Sequence, residues 1–511
     1  MTGLISVLFI LLFLSQGYSQ EKLDNPGELY DSSMELYYKG KCEEGIQNFS
    51  KIVQSASASQ LVSYSQYMIG LCYLKMEKYE EAIQQFELYL KAYPDGDRVR
   101  EAEKGIQIAK EQLKEKTPAP SPVSKPVVKK SFPEEKKTKR RICAQVSYFE
   151  GKNLEEVEKR VRELKNAGVN TILFRVFQNK GDRVYKFVTA HYDEGVYFKT
   201  EYAPVVDDIL GKIAEIVHRN GLEIFAWITT RYANYGLEGL LEYRSKRYNF
   251  ETKKMEVARG FNLFHPDVLK RLEGLFRDLG RYPIEGILFQ DDLILYHNED
   301  FSTEANKAFL KEFGYLPHPD LFYIDPYKSA SGKYYAKAYT DRFMSWANWK
   351  NRWLMNVANR LMAAARESNT NLQFAINLYF EAIINDFNGK AWFSQTLSGA
   401  LKNNFDYYAI MAYHRQAMKN RNIEVKEAID LMAEATQKAV EAVGDPSKVL
   451  MKVWILDWKS NEAVSYKLAP RKEIEEILTA ILNHGEVSLA FVPYIDQFPF
   501  HSLKEKWIPS K

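Results

Sequence analysis

Eight short apolar runs, separated by amphipathic stretches, fill the chain from Arg141 onward and constrain its fold more than any other feature. The runs are ICAQVSY from Ile142, TILFRVF from Thr171, EIFAWIT from Glu223, GILFQDD from Gly286, FAINLYF from Phe374, YYAIMAY from Tyr407, MKVWILDW from Met451 and SLAFVPY from Ser488. Short apolar runs of this kind suit parallel strands buried on both faces. The intervening LEEVEKRVRELKNAG, PVVDDILGKIAEIVHRNG and HPDVLKRLEGLFRDLG repeat apolar residues at helical spacing. Eight alternations over residues 141–511 predict an α/β fold, a closed (β/α)8 barrel of the TIM type. The largest insertion follows the fourth run. It includes Pro317 to Pro326 and an aromatic-rich stretch, from about Tyr334 to Arg366, expected to be helical.

Residues 23–115 read differently, as helices joined by short turns. CEEGIQNFSKIVQ from Cys42 resembles YEEAIQQFELYLKAYP from Tyr79, and Gly70, Tyr73, Ala82, Phe86 and Pro94 fall at tetratricopeptide-repeat spacing. This predicts a small all-α array of about two repeats with a capping helix, a module suited to binding a protein partner or to acting as a spacer. Residues 116–140 are rich in Pro, Lys and Ser and predict a basic, extended linker. At the N-terminus, an apolar stretch from Leu4 to Leu14 followed by Gly17 and Ser19 reads as a signal peptide over residues 1–19. That implies an exported protein, periplasmic or extracellular, with no membrane span after cleavage. Cys42, Cys72 and Cys143 are too few and too scattered for a disulfide framework.

Charge narrows the partner. The formal net charge is +3, yet residues 116–141 alone hold nine Lys or Arg against two Glu, so the rest of the chain is mildly acidic. This argues against nucleic acid as the barrel's ligand. The barrel region lacks a Gly-rich phosphate loop, a Cys/His metal spacing and a Gly-x-Ser-x-Gly elbow, so no cofactor or metal is expected. Carboxylate chemistry remains.

Barrel active sites lie at the C-terminal ends of the strands. There the fourth run places Asp291 beside Asp292, and like charges in a poorly solvated place shift one carboxyl's proton affinity upward. Strand alternation sends Leu288, Gln290 and Asp292 toward the barrel axis and leaves Asp291 in the turn above. The same parity sends Ala375, Asn377, Tyr379 and Glu381 inward on the fifth run, with Glu381 as a second carboxylate across the mouth. Glu299 and Asp300 on the following loop are candidates to orient the pair or bind substrate. His297 with Asp291 and Glu299 matches no zinc spacing. Phe177, Tyr232, Tyr235, Tyr379, Trp392, Tyr413, Trp454, Trp458 and Tyr494 cluster where the runs end, as a sugar-stacking surface would require.

From about Arg141 to its end the chain resembles the C-terminal glycoside hydrolase domain of the PgaB family, which processes poly-β-1,6-N-acetylglucosamine in biofilm-forming bacteria. The resemblance is carried by NLEEVEKRVRELKNAGVNTILFRVF, YFKTEYAPVVDDILGKIAEIVHRNGLEIFAWI, IEGILFQDD, AWFSQTLSGALKNNFDYYAIMAY and FVPYIDQF, in order. It implies catalytic roles for Asp291 and Asp292 and a loop pair at Glu299 and Asp300, and it matches Asn377, Trp392, Phe393 and Gln395. Three departures stand out. Gln290 replaces the family's histidine, AQVSYFEG replaces an acidic first strand, and Glu381 has no counterpart. A repeat array also stands where that family carries a deacetylase domain. Together these readings imply a glycosidase acting on an exported amino-sugar polymer, partly deacetylated poly-β-1,6-N-acetylglucosamine before others. The alternatives are a non-catalytic glycan-binding scaffold of an export system and a hydrolase of another β-linked envelope glycan, such as peptidoglycan.

Overall fold

The computed structural model describes residues 26–38, 40–54, 60–93, 98–116, 138–328, 332, 334–457, 467–496 and 500–507. The expected signal peptide, Pro94, nearly all of the basic linker and Trp458 lie outside the described residues. Contacts divide the chain into two units, residues 1–133 and 134–511.

The first unit contains five described helices: α1 (Pro26–Tyr38), α2 (Cys42–Gln54), α3 (Gln60–Lys75), α4 (Tyr79–Ala92) and α5 (Val99–Lys116). Small residues set how closely they pack. Phe86 of α4 sits between Gly70 and Gly105, where an added Cβ would lie only 2.6 and 2.5 Å from its ring. Cys42 and Cys72 are buried in the same apolar cluster, and all three cysteines carry free thiols.

In the second unit eight parallel strands close into a barrel: β1 (Ile142–Val146), β2 (Thr171–Arg175), β3 (Glu223–Ile228), β4 (Gly286–Phe289), β5 (Gln373–Tyr379), β6 (Tyr407–Ala412), β7 (Val449–Trp454) and β8 (Ser488–Val492). Each strand pairs with its sequence neighbours and β8 closes on β1. All eight runs read from the sequence are strands. Alternate residues build two cores. Cys143, Leu173, Phe225, Leu288, Ala375, Ala409 and Leu450 fill the barrel, while the other parity packs against the helices. Gly286 is required at the entry to β4, because a Cβ there would meet the Phe225 ring at 2.3 Å and the Gln373 carbonyl oxygen at 2.6 Å.

The floor is sealed. Arg141 lies over Phe225 and Tyr407 (4.4 and 4.9 Å to the ring centroids) and donates to Thr171, Glu223 and Gln373. Only the opposite end, where the strands point, is left to hold a site.

Two sequence expectations fail in detail. The helix after β2 begins at Leu210, not Pro204, because Val196 first takes up the backbone of this segment, donating its N–H to the Pro204 carbonyl and accepting from Val206 N. Tyr334–Tyr339 is not helical. It forms an antiparallel hairpin with Tyr323–Lys328, and the long helix begins only at Asp341, capped by Thr340. YYAKAY is rich in aromatic residues that favour strands, and its backbone pairs with the strand that precedes it. A second hairpin, Arg244–Asn249 with Lys254–Phe261, follows β3. Among the described residues no helix is long and apolar enough to cross a membrane.

Candidate active site

The two adjacent aspartates have opposite fates. Strand β4 ends at Phe289, and beyond it the pleat no longer decides which way a side chain points. Asp292 turns sideways over the end of β3, where its carboxylate accepts from Thr230 N (3.0 Å), Arg231 N (2.5 Å), Tyr232 N (2.8 Å), the Thr230 hydroxyl (3.0 Å) and the Thr229 hydroxyl. It is 1% exposed. Those amides have left the β ladder and would otherwise be orphaned, so the carboxylate serves as their common acceptor. The expected placement of Asp292 over the axis is therefore corrected: it is wall, and Asp291 is the carboxylate of the mouth.

Asp291 is half-buried. Burial raises its carboxyl above the ordinary aspartate range, the Lys452 charge opposes that, and the Asp292 charge adds to it. The charge of Asp291 is felt by Tyr296, Tyr379 and Tyr413, whose phenols burial pushes above their usual range, so all stay neutral. Lys452, inward on β7, is 2% exposed, and burial draws its ammonium down to about 8 against the Asp291 charge. Its Nζ donates to Asn377 Oδ1 (2.8 Å), and Asn377 Nδ2 donates to the carbonyl of Phe289 (2.8 Å), the last residue of β4. Gln395 completes the frame. Its Nε2 donates to the Asn377 carbonyl (2.8 Å), and its Oε1 accepts from Tyr379 N (3.1 Å). Gln290 is half-buried, with its Oε1 buried and unpartnered.

Aromatic rings build the walls. Tyr379 stacks on Phe393 (centroids 4.1 Å apart, planes within 9°), and Tyr296 and Trp392 meet the same ring edge-on at 6.2 and 6.4 Å. Tyr413 and Trp454 (5.2 Å) close the barrel core from above together with Trp227. The phenols of Tyr232 and Tyr296 lie close enough beside the Asp291 turn to shift each other's proton affinity. Phe177 packs edge-on against Trp227 at 5.9 Å, with Arg175 over its ring at 4.2 Å. Tyr235 is buried in the wall, donating to the Thr229 carbonyl (2.8 Å). Tyr494 turns away from the mouth, packing edge-on against Phe149 (5.8 Å) and donating to Asp496 (2.6 Å).

Other candidates are placed differently from their sequence assignment. Glu381 does not prolong β5, which ends at Tyr379. It opens the short helical turn Glu381–Ile384, half-buried, with its charge felt by Tyr379. Glu299 and Asp300 are buried behind the mouth. Glu299 accepts from Arg231 (2.9 Å), Asp300 accepts from Lys246 N and Ser302 N, and Lys350 donates to the carbonyls of Tyr296 (2.9 Å) and Glu299. This charged cluster fixes the loop from Tyr296 to Asp300 and does not face the open mouth. His297 is buried and pairs with the Tyr339 hydroxyl (3.1 Å), and burial lowers its ring to about 3, so it is neutral near pH 7. Among the described residues no three His, Cys, Asp or Glu converge to hold a metal.

Sequence reasoning passed over Lys452, Arg175, Trp227 and Tyr296. The signal was present in the first three, since each occupies the inward parity of its strand, and a cation at such a position has no packing role.

A family model described as hypothetical glycosyl hydrolase family 13 matches residues 148–492, and a tetratricopeptide repeat model matches residues 64–96. The poly-β-1,6-N-acetyl-D-glucosamine N-deacetylase of Escherichia coli K12 is 24% identical over 298 residues, covering 55% of this chain and 39% of that protein; its counterpart in Escherichia coli O157:H7 matches to the same extent. The chain thus spans well under half the length of these curated relatives. The PgaB (BpsB) glycoside hydrolase domain from Bordetella bronchiseptica superposes with a TM-score of 0.56 at 17% identity, covering 73% of this chain and 100% of that domain. At that identity the likeness speaks for the barrel fold.

Proposed function

We propose, for a chain that belongs to hypothetical glycosyl hydrolase family 13 and has a glycoside hydrolase fold, that its barrel hydrolyses a β-linked amino-sugar polymer with Asp291 as the general acid. The observation that carries this reading is the setting of Asp291, half-buried among neutral tyrosines at the C-terminal end of β4. A carboxyl raised by burial keeps its proton toward neutral pH and can give it to a departing glycosidic oxygen. Asp292 is spent on five backbone and hydroxyl donors, so its part is to hold the turn that presents Asp291. Glu381 is the partner carboxylate, either activating water or attacking the anomeric carbon. The stacked faces of Tyr379 and Phe393 and the Tyr413–Trp454 pair supply the apolar ground on which pyranose rings rest.

The substrate we favour is poly-β-1,6-N-acetylglucosamine, partly deacetylated, the polymer named for the curated relatives. Deacetylation belongs to those proteins' printed names and is not assigned to this barrel. A polymer of this kind is met outside the cytoplasm, in keeping with the N-terminal apolar stretch, and the repeat unit is assigned to a protein partner.

Mass spectrometry of products after incubating the full chain with partly deacetylated polymer tests the reading. Wild type should yield shortened oligomers, and Asp291→Asn should lower the rate by about 10²–10⁴-fold. Intact polymer with wild type, while polymer still binds, would replace the hydrolase by a glycan-binding scaffold. Undiminished cleavage by Glu381→Gln would remove that residue and leave the substrate's own N-acetyl oxygen as the attacking group.

A further inference from the structure

A lysine inside a barrel needs a reason. Lys452 occupies an inward position of β7, directly above Leu450 and level with a shell that includes Ala490, where an aliphatic side chain would fill the space at no electrostatic cost. Its ammonium has one hydrogen-bonding partner among the described residues, Asn377 Oδ1 at 2.8 Å. That bond fixes the amide's orientation, since Oδ1 must face the ammonium and Nδ2 then donates to the Phe289 carbonyl at 2.8 Å. The chain Lys452, Asn377, Phe289 ends two residues before Asp291. The groups whose charges bear on Asp291 or feel it are Asp292 beside it, Tyr296 on the loop after β4, Tyr379 at the end of β5 and Tyr413 after β6, with Tyr232 after β3 and Glu381 after β5 next to Tyr379. All are neutral or acidic, and Lys452 from β7 opposes them.

We propose that Lys452 is a positioning residue for the glycosidic reaction: through Asn377 it fixes the end of the strand that carries Asp291, and it supplies the buried positive charge that faces that carboxyl. The proposal rests on the reading of Asp291 as the acid. After Asp291 has given its proton to the leaving oxygen, its carboxylate stands in a poorly solvated ring of tyrosines beside Asp292. The ammonium of Lys452 stabilises that anion at the moment it forms and so lowers the cost of the transfer. No proton leaves Lys452 in this step. The proton passes from Asp291 to the glycosidic oxygen, and water restores it later.

The sign follows directly. A cation favours the ionised form of its neighbour, so its removal raises the proton affinity of Asp291. An acid must be protonated to act, so the basic limb of the pH profile moves up. Three variants of the full chain separate charge from support. Lys452→Gln keeps a donor for Asn377 without charge, Lys452→Arg keeps charge, and Lys452→Met keeps neither. In Lys452→Gln and Lys452→Met the basic limb of kcat should shift upward by about one pH unit or more. In Lys452→Met kcat should also fall on the order of tenfold to a hundredfold, with KM little changed, because the acid is misplaced. Lys452→Arg should leave the limb in place. The infrared band of the protonated carboxyl that disappears in Asp291→Asn reads the same titration without turnover, and it should move in parallel. If Lys452→Met does not fold, Lys452→Gln carries the test. An active wild type whose limb and band stay fixed in Lys452→Gln overturns the proposal. A wild type that makes no product at any pH overturns the hydrolase reading and the catalytic role with it, while the band still reports whether Lys452 governs Asp291.

Discussion

Asp291 and Asp292 are neighbours in sequence and unlike in every physical respect, and their substitution should show it. Asparagine at 292 replaces one acceptor oxygen by an NH2 that must face amides already pointing inward. A buried group left facing its own kind costs about 1–3 kcal/mol, and several are affected here, so Asp292→Asn should lower stability by roughly 2–4 kcal/mol in denaturant titration. Asparagine at 291 removes a charge that burial disfavours, so Asp291→Asn should keep the wild-type midpoint or exceed it, while turnover is lost. An inactive Asp292→Asn enzyme therefore says nothing about chemistry unless its stability is measured beside it. Lys452 gives a second residue-scale expectation. Burial draws its ammonium down to about 8, below the ordinary lysine value of 10.5, so the folded form releases its proton first. Relative to Lys452→Met, wild type should gain stability as pH rises from about 8 to about 10.5, by an amount on the order of 3 kcal/mol, and a constant difference across that window would refute the burial account.

At the scale of elements, packing between helices depends on two glycines. Gly70→Ala would press a Cβ to 2.6 Å from the rigid Phe86 ring, which is itself backed by Gly105. Overpacking of this kind costs about 1–3 kcal/mol, so calorimetry should show the repeat unit unfolding earlier while glycosidase activity is unchanged. A fall in activity would mean that the two units communicate. Elements also mark where the sequence can be read and where it cannot. The eight strands were legible because each is a short, predominantly apolar run, and the inward parity of Leu288, Ala375 and Asn377 was legible because the period of two holds inside a strand. Parity misled at Asp292 and Glu381 because β4 and β5 stop before them, and past a strand end the direction of a side chain is chosen by whichever donors lack partners. Tyr494 follows the same rule: β8 ends at Val492, and the tyrosine turns out to Phe149 and Asp496. Lys452 lay in plain view within MKVWILDW, overlooked because attention to strand ends favours aromatics and acids over a cation in mid-strand.

The whole molecule carries ionisable groups that respond to acid in opposite directions, and the balance sets its behaviour below pH 5. Burial pushes the Glu473 carboxyl up, but hydrogen bonds from His414 and Arg415 outweigh it and hold it down at about 2. Its stabilisation is fully present above the unfolded value near 4.5 and is lost as pH falls through about 2. Asp300 and Asp406 behave inversely. Burial raises both above the ordinary aspartate value, so the folded state takes up their protons before the unfolded chain does, and acidification through that window favours the fold. The two classes partly cancel, and the stability of wild type should fall more gently on acidification than paired carboxylates alone would make it. Substitution separates them. Glu473→Gln should be destabilised relative to wild type at pH 5, with the gap closing as pH is lowered toward 2. Asp406→Asn should show the reverse slope, its standing against wild type worsening as pH falls, because the variant no longer gains from proton uptake. Denaturant midpoints taken at half-unit steps between pH 5 and 2 decide the matter. Parallel curves for the two variants would mean that neither carboxyl titrates differently in the folded and unfolded chain, and that the acid response of the barrel arises elsewhere.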